Sequence, residues 1–243
     1  MKFFSRNKLL FFIILIGLIL RLLFLDKYAT WNDERLSVSE ANSLLLFDFE
    51  SEFSLRDIKN NDNFVNVIKS VKIGDAGNGI AYILTLHFWK FFFGNSDFSV
   101  RFLSVIIGVF VVFLTYKLTF LITSNTNISL LSCFFSSIHP FLISYSQEAR
   151  AYIFGVFFVI LSTIIFFKIL KSKKFRILIH VAYCLLILLS FFTHYSSIYI
   201  IVAHFLIIIF SQTNFPKWKS IIPVFILFSF VIFLWYVSFG NEC

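Results

Sequence analysis

Charge is scarce in this chain, and so are the residues that make turns. Of 243 residues only 14% are charged, and there are 8 Gly, 3 Pro and 1 Met, where a soluble domain carries about 25% charged residues. Too few polar side chains remain to cover a water-exposed globule of this size, so soluble, disordered and collagen-like classes are excluded. Three cysteines cannot build a disulfide framework. Cys133 and Cys184 lie inside apolar runs, where a thiol acts as a small hydrophobe. What fills the chain instead is 59% hydrophobic and 21% aromatic, with 37 Phe and a mean hydropathy of +0.88. The composition is that of an all-α integral membrane protein.

A helix needs about 20 apolar residues to cross a hydrocarbon core about 30 Å thick. Seven runs approach that length, at 9–25, 102–121, 128–144, 151–170, 177–193, 198–212 and 220–239. The first follows Lys2, Arg6 and Lys8 in the manner of a signal peptide, but it contains Arg21 and lacks a small-residue cleavage site. It therefore reads as an uncleaved anchor, with Arg21 snorkelling outward. A further apolar stretch, Gly79 to Phe93, is short and carries His87, Trp89 and Lys90. Such a segment is expected to lie in the interface rather than to cross.

With the N-terminus cytoplasmic and seven crossings, the inner side receives Lys2, Arg6, Lys8, Lys117, Lys168, Lys171, Lys173, Lys174, Arg176, Lys217 and Lys219. No carboxylate joins them. All 13 Asp and Glu fall outside, from Asp26 to Glu242, a distribution that obeys the positive-inside rule. The formal charge of +8 is then mostly topological, which removes a nucleic-acid reading. Residues 26–100 form a long external loop, expected to hold two or three short amphipathic helices. Within it lie the polar stretch Asn60-Asn61-Asp62-Asn63 and the turn-prone run Asp75-Ala76-Gly77-Asn78-Gly79.

Four polar clusters fall at the outer ends of the spans: Asp33-Glu34-Arg35, Asp75 to Asn78, Gln147-Glu148-Ala149-Arg150 and His194-Tyr195. By topology all four share one level of the membrane and can converge. On residues alone each has a bland alternative: Asp33 as a solvated loop charge, Glu148 and Arg150 as an ion pair of the turn, and His194 with Tyr195 as part of an aromatic belt. Residues two apart on a helix do not face each other, so a Glu148–Arg150 pair requires a turn. His139 and His204 read as packing residues.

The run from His139 to Tyr152, through Ser146-Gln147-Glu148-Ala149-Arg150, followed by Thr193-His194-Tyr195, resembles bacterial relatives of the dolichyl-phosphate-mannose protein mannosyltransferases. So does Phe93-Gly94-Asn95-Ser96-Asp97-Phe98-Ser99-Val100-Arg101. The resemblance implies a C-fold glycosyltransferase that moves a sugar from a polyprenyl phosphate to an acceptor hydroxyl at the outer face of a bacterial inner membrane. It implies catalytic Asp33, with Glu34 beside it, as the general base on the first external loop. Arg150 and Arg101 would grip phosphate oxygens, and Glu148, His194, Tyr195, Asp75 and Asn78 would line the substrate. No nucleotide cofactor is implied. A divalent metal beside the carboxylates and His194 is allowed, but no ligand spacing demands one. Relatives often carry a His-Pro-Pro run where this chain has Asp75 to Gly79, and they are longer, so the chain is expected to represent an N-terminal half. The rival readings are a transporter or lipid flippase, disfavoured by spans without acidic residues, and an inactive truncated remnant.

Overall fold

The computed structural model describes residues 2–27, 29–43, 64–75, 77–172, 175–210 and 216–240. Among these residues the structure is helices and turns, with no strand. In chain order the helices are α1 (Lys2–Leu22), α2 (Asn32–Ala41), α3 (Phe64–Asp75), α4 (Ile80–Phe93), α5 (Asp97–Thr123) and α6 (Thr126–Ile138). Then come α7 (Pro140–Ser146), α8 (Tyr152–Lys171), α9 (Ile177–Thr193), α10 (Ile198–Phe210) and α11 (Pro216–Gly240). A 3-10 turn, Tyr195–Ser197, joins α9 to α10.

Two helices, α5 and α8, are long and apolar enough to cross a membrane, and α6 with α7 makes a third candidate. Parts of α9, α10 and α11 are apolar but shorter. Large side chains such as Phe110, Leu178, Phe210 and Phe230 stand exposed on the outer faces of the bundle, as helices bathed in lipid allow. Residues 26–100, expected as an external loop, supply α2, α3 and α4, while the Asn60–Asn63 stretch lies outside the described residues. At 14 residues, α4 is ~21 Å long, too short for the hydrocarbon core. It packs instead on α2, α3, α5 and α9. The turn before it is realised with Gly77 and Gly79 at φ of 78° and 80°, a left-handed backbone that glycine tolerates.

Helix α5 is the hub, packing on α1, α6, α7 and α8. Its first turns join α2, α4 and α8 in a core of Val38, Tyr82, Leu86, Val100 and Ile153. Around α8 to α11 a second core gathers Phe166, Tyr183, Ile187, Ile201 and Ile221. Beside that core His204 is fully buried and stacked 4.3 Å from Phe166. Thr163 gives its hydroxyl proton to Val159 O, so His204 Nε2 must donate to Thr163 Oγ1 (3.1 Å) and Nδ1 must accept from Tyr183 (3.0 Å). The ring is therefore the neutral Nε2–H tautomer, satisfied on both sides.

Two expectations need correction. The run 128–144 is not one straight span: it breaks at His139, and α6 and α7 meet at 58°. Pro140 opens α7 and has no N–H to continue the ladder, so the carbonyls before it lose their partners. Nor does Arg21 snorkel. Its side chain is fully buried and donates to Ser137 O (3.0 Å), Ser136 O (3.4 Å), Gly17 O (2.9 Å) and Ser146 Oγ (3.1 Å). The guanidinium satisfies the carbonyls freed by the break and ties α1 to both halves of it. Gly108 on α5 makes room: a Cβ there would stand 2.1 Å from Ser146 Oγ and 2.9 Å from Arg21 Nε.

The bundle has two chemically distinct ends. At one end, Arg101 near the start of α5 bonds Leu25 O just beyond α1. At the other, the Lys171 ammonium at the end of α8 donates to Leu121 O near the end of α5. Lys171 and the acidic cluster of α2 are thus held apart by the length of α5.

Candidate active site

Helix α2 carries the acids, and its anchoring begins with Glu34. This third helical residue reaches back to Trp31 N–H (3.4 Å), satisfying one donor at the helix start. The same buried carboxylate accepts Arg101 Nε (2.8 Å) and Nη2 (2.7 Å) as a fork, and also Ala149 N–H (2.8 Å). Arg101 adds Leu25 O (2.8 Å) and Ala29 O (3.5 Å). Four pieces of chain therefore meet at one ion pair: the end of α1, the start of α2, the start of α5 and the α7–α8 turn. Glu34 and Arg101 are directed at each other and at backbone, not at open space.

At the other end of α2, donors converge on exposed helix carbonyls. Lys90 Nζ and Asn42 Nδ2 donate to Val38 O (3.3 and 2.8 Å), Ser70 to Glu40 O (2.8 Å) and His87 Nδ1 to Ala41 O (2.8 Å). Burial pushes the Lys90 ammonium down to about 7. Trp89, beside them in sequence, donates instead to Ser99 O (2.9 Å) and stacks on Phe93, tying α4 to α5.

Clamped at both ends, α2 presents Asp33, Ser37 and Glu40 at the i, i+4 and i+7 positions of one face. Asp33 is the open member, with 41% of its side chain exposed, and its Oδ2 lies 3.5 Å from Arg150 Nη2. Arg150 Nη1 also donates to Asp33 O (3.2 Å) and Ser37 Oγ (3.1 Å), and the guanidinium lies 5.5 Å from the Tyr152 ring. Arg150 sits on the α7–α8 turn, whose position is set by Gln147: its Nε2 donates to Leu20 O, Arg21 O and Leu23 O (3.3, 3.3 and 2.8 Å). Glu148 takes its hydrogen bond from Ser144 (2.9 Å). Burial first, and then the Glu34 charge, raise the Glu148 carboxyl above its ordinary value, against the opposing Ser144 bond and the Arg150 and Arg101 charges.

Beyond Arg150, a cleft is lined by Ser37, Glu40, Asn78, Tyr82, Arg150 and His194. His194 Nδ1 accepts Ser196 N–H (3.3 Å) and lies 2.7 Å from Ser196 Oγ, so the neutral ring carries its proton on Nε2. Asn78 Oδ1 accepts Tyr195 N–H (3.1 Å), holding the 3-10 turn against the start of α4. The Tyr195 side chain turns away, packing on Phe191 and accepting from Trp235 Nε1 (3.2 Å). Asp75 ends α3, and its side chain lies outside the described residues. His194 also lines a second, open groove running between α8 and α10, otherwise bounded by Tyr152, Val156, Val159, Tyr199 and Ile200.

Among the described residues no three His, Cys, Asp or Glu side chains come together as a metal site. Sequence reasoning missed Ser37, Glu40 and Tyr82. The signal for the first two was their helical spacing from Asp33; Tyr82 has none.

The arrangement joins a cation, an accessible carboxylate and a polar cleft to an apolar channel. Comparison with known families decides what it belongs to, because the model for dolichyl-phosphate-mannose-protein mannosyltransferase matches residues 78–238, two thirds of the chain. The chain belongs to that family. Its members are membrane glycosyltransferases that draw on polyprenyl-phosphate sugars. The matched region contains Arg101, Glu148, Arg150 and His194 but begins after α2, so the family likeness itself covers neither Asp33 nor Glu40. No curated protein and no solved structure matches the chain.

Proposed function

We propose that this protein transfers a sugar from a polyprenyl phosphate to an acceptor hydroxyl at the extracytoplasmic face of a bacterial inner membrane. The reading takes seven crossings, with α6 and α7 as one broken span and α2 to α4 lying outside. Eleven cations and no acids then occupy the inner side, in keeping with the positive-inside rule. The apolar groove between α8 and α10 receives the isoprenoid tail, and the phosphate meets Arg150.

The observation that carries the reading is the Asp33–Arg150 pair, whose guanidinium lies 5.5 Å from the Tyr152 ring that bounds that groove. A guanidinium gives up a half-exposed carboxylate partner readily, since such pairs contribute about 1 kcal/mol or less, and takes a phosphate in a two-pronged hydrogen bond. Asp33 is thereby released beside the anomeric carbon. There it accepts the proton of the attacking acceptor hydroxyl as the carbon–oxygen bond to the phosphate breaks and the phosphate leaves as an anion. One base suffices for an inverting displacement, because the leaving group needs no proton. Glu34 and Arg101 are positioning residues in this scheme. They hold Asp33 and the α7–α8 turn in register, while Asn78 lines the cleft and holds the Tyr195 amide behind it.

The test is release of polyprenyl phosphate from polyprenyl-phosphate-mannose, and from donors bearing glucose, galactose or arabinose, in membranes containing the protein. Wild type should release it and Asp33→Asn should lose at least about a hundredfold, the usual worth of a positioned base. An active wild type with an equally active Asp33→Asn would remove Asp33 from the chemistry.

A further inference from the structure

The groove between α8 and α10 ends in a hydrogen bond that the transfer chemistry does not use. Tyr152, Val156 and Val159 form its wall on one face of α8, and Ile200 stands opposite on α10. One turn further along each helix the two walls meet, where His204 Nε2 donates to Thr163 Oγ1 (3.1 Å). The helices run side by side in the same direction, because the Tyr152 and His194 rings also meet at their starts (5.8 Å). Thr163 and His204 therefore lie across the inner end of the groove. Behind them Phe166 stacks on the His204 ring at 4.3 Å, and the Tyr183 hydroxyl donates to His204 Nδ1 (3.0 Å). Phe166, Tyr183 and His204 are each at most 1% exposed, so the floor is closed.

The same clasp decides how α10 is held. Among the described residues of α10 only Ile201 and His204 are buried, while Val202, Phe205, Leu206 and Ile209 stand exposed. Lipid gives helices no hydrophobic reason to associate, so close packing and bonds between helices must hold them. His204 supplies such a bond where a leucine would not. An ionisable side chain inside an apolar span is costly enough to call for a task, and closing the groove is the task its position fits. Thr163 stands three turns beyond Tyr152, about 16 Å along α8, which matches roughly three isoprene units laid end to end.

Resting on the polyprenyl-phosphate donor reading, we infer that the Thr163–His204 clasp gauges the carrier lipid, with His204 as a specificity-determining residue. The phosphate sits at Arg150, whose guanidinium lies 5.5 Å from the Tyr152 ring, and the first isoprene units follow Tyr152, Val156 and Val159 inward. At the clasp the chain turns out through the open side of the groove into the bilayer. The protein thus reads the units next to the phosphate and is indifferent to those beyond. Its carrier is a prenyl phosphate of at least about three units, whatever its total length.

The test uses the full chain in lipid nanodiscs and two photoactivatable probes, undecaprenyl phosphates bearing a diazirine on the second or on the fifth isoprene unit counted from the phosphate. Labelled residues are read by mass spectrometry of proteolytic fragments. In wild type the second-unit probe should label residues 156–159 and 200, and excess unlabelled undecaprenyl phosphate should compete that label away. The fifth-unit probe should leave residues 166–170 unlabelled. His204→Ala opens the floor and should raise fifth-unit labelling of residues 166–170 severalfold. Thr163→Val removes the bond while keeping the shape of the side chain, should raise the same label to a smaller extent, and covers the case in which the His204 variant fails to fold. If the fifth-unit probe labels residues 166–170 equally in wild type and in the folded variants, the inference is overturned while the donor reading stands. If no competed label appears on the groove in wild type, the donor reading has failed and this inference falls with it.

Discussion

Removing either member of the Glu34–Arg101 pair is the most direct test of how the site is held. Both side chains are buried, at 5% exposure or less, and their two short hydrogen bonds form a fork. Glu34→Leu leaves the Arg101 guanidinium buried without its carboxylate and strips the Ala149 and Trp31 amides of their acceptor. Arg101→Leu leaves a buried carboxylate with two amide donors. Each single substitution should cost about 3–5 kcal/mol, the usual penalty of an uncompensated buried charge. If the two costs were independent, the double variant would lose about 6–10 kcal/mol. It should instead lose about as much as one single variant, because no orphaned charge remains and the cost is that of neutral backbone groups, the Ala149 and Trp31 amides without an acceptor and the Leu25 and Ala29 carbonyls without their Arg101 donor.

The assay is equilibrium unfolding of the purified protein in mixed micelles by SDS titration, followed by Trp fluorescence, for wild type, both singles and the double. A coupling free energy of about 3 kcal/mol or more is expected. The measurement should be insensitive to added salt, since screening acts weakly on buried charges. Additivity within about 0.5 kcal/mol, or a single variant costing under about 1 kcal/mol, would refute the claim that this pair fastens α2 to α1, α5 and the α7–α8 turn.

Three further outcomes are expected. Gly108→Ala places a methyl 2.1 Å from Ser146 Oγ and 2.9 Å from Arg21 Nε and should destabilise by about 1–3 kcal/mol in the same titration. Tyr183→Phe removes the donor to His204 Nδ1 and should cost about 1–3 kcal/mol for the unsatisfied ring nitrogen, read by the same titration. Lys90, lowered to about 7 by burial, binds its proton less tightly folded than unfolded. Stability should therefore climb as pH rises from about 7 toward the ordinary lysine value. Lys90→Met should flatten that limb in melting curves taken at half-unit intervals of pH.

How much of this was readable beforehand follows from the range of each signal. Apolar runs are local, and the runs expected as spans coincide with α1, α5, α8, α9, α10 and α11, with ends shifted by several residues. The convergence of Asp33 with Arg150 was also accessible, because topology alone puts the two at one level and the motif around Gln147 to Arg150 marks the turn. The break at His139-Pro140 was less so: hydropathy averages over it, and a proline inside an apolar run does not by itself reveal a bend of 58°. Arg21 shows the limit most clearly. Its partners Ser136, Ser137 and Ser146 lie more than 100 residues away, so the charge looked like one that must reach water. The break and the charge were each unexplained alone, and each accounts for the other.

That pairing bears on how the site is assembled. A span broken at Pro140 exposes carbonyls that lipid cannot satisfy, and a buried guanidinium needs acceptors that lipid cannot supply. Putting Arg21 at the break resolves both needs at once. It also fixes where α7 ends, because Gln147, the first residue past α7, is bonded to the carbonyls of Leu20, Arg21 and Leu23. Three residues later stands Arg150. The position of the cation that faces Asp33 is therefore set by the meeting of α1 with a broken helix, while the position of Asp33 is set by α4 and α5 gripping α2. The two halves of the site are built by different parts of the fold and meet only across the 3.5 Å between Asp33 and Arg150.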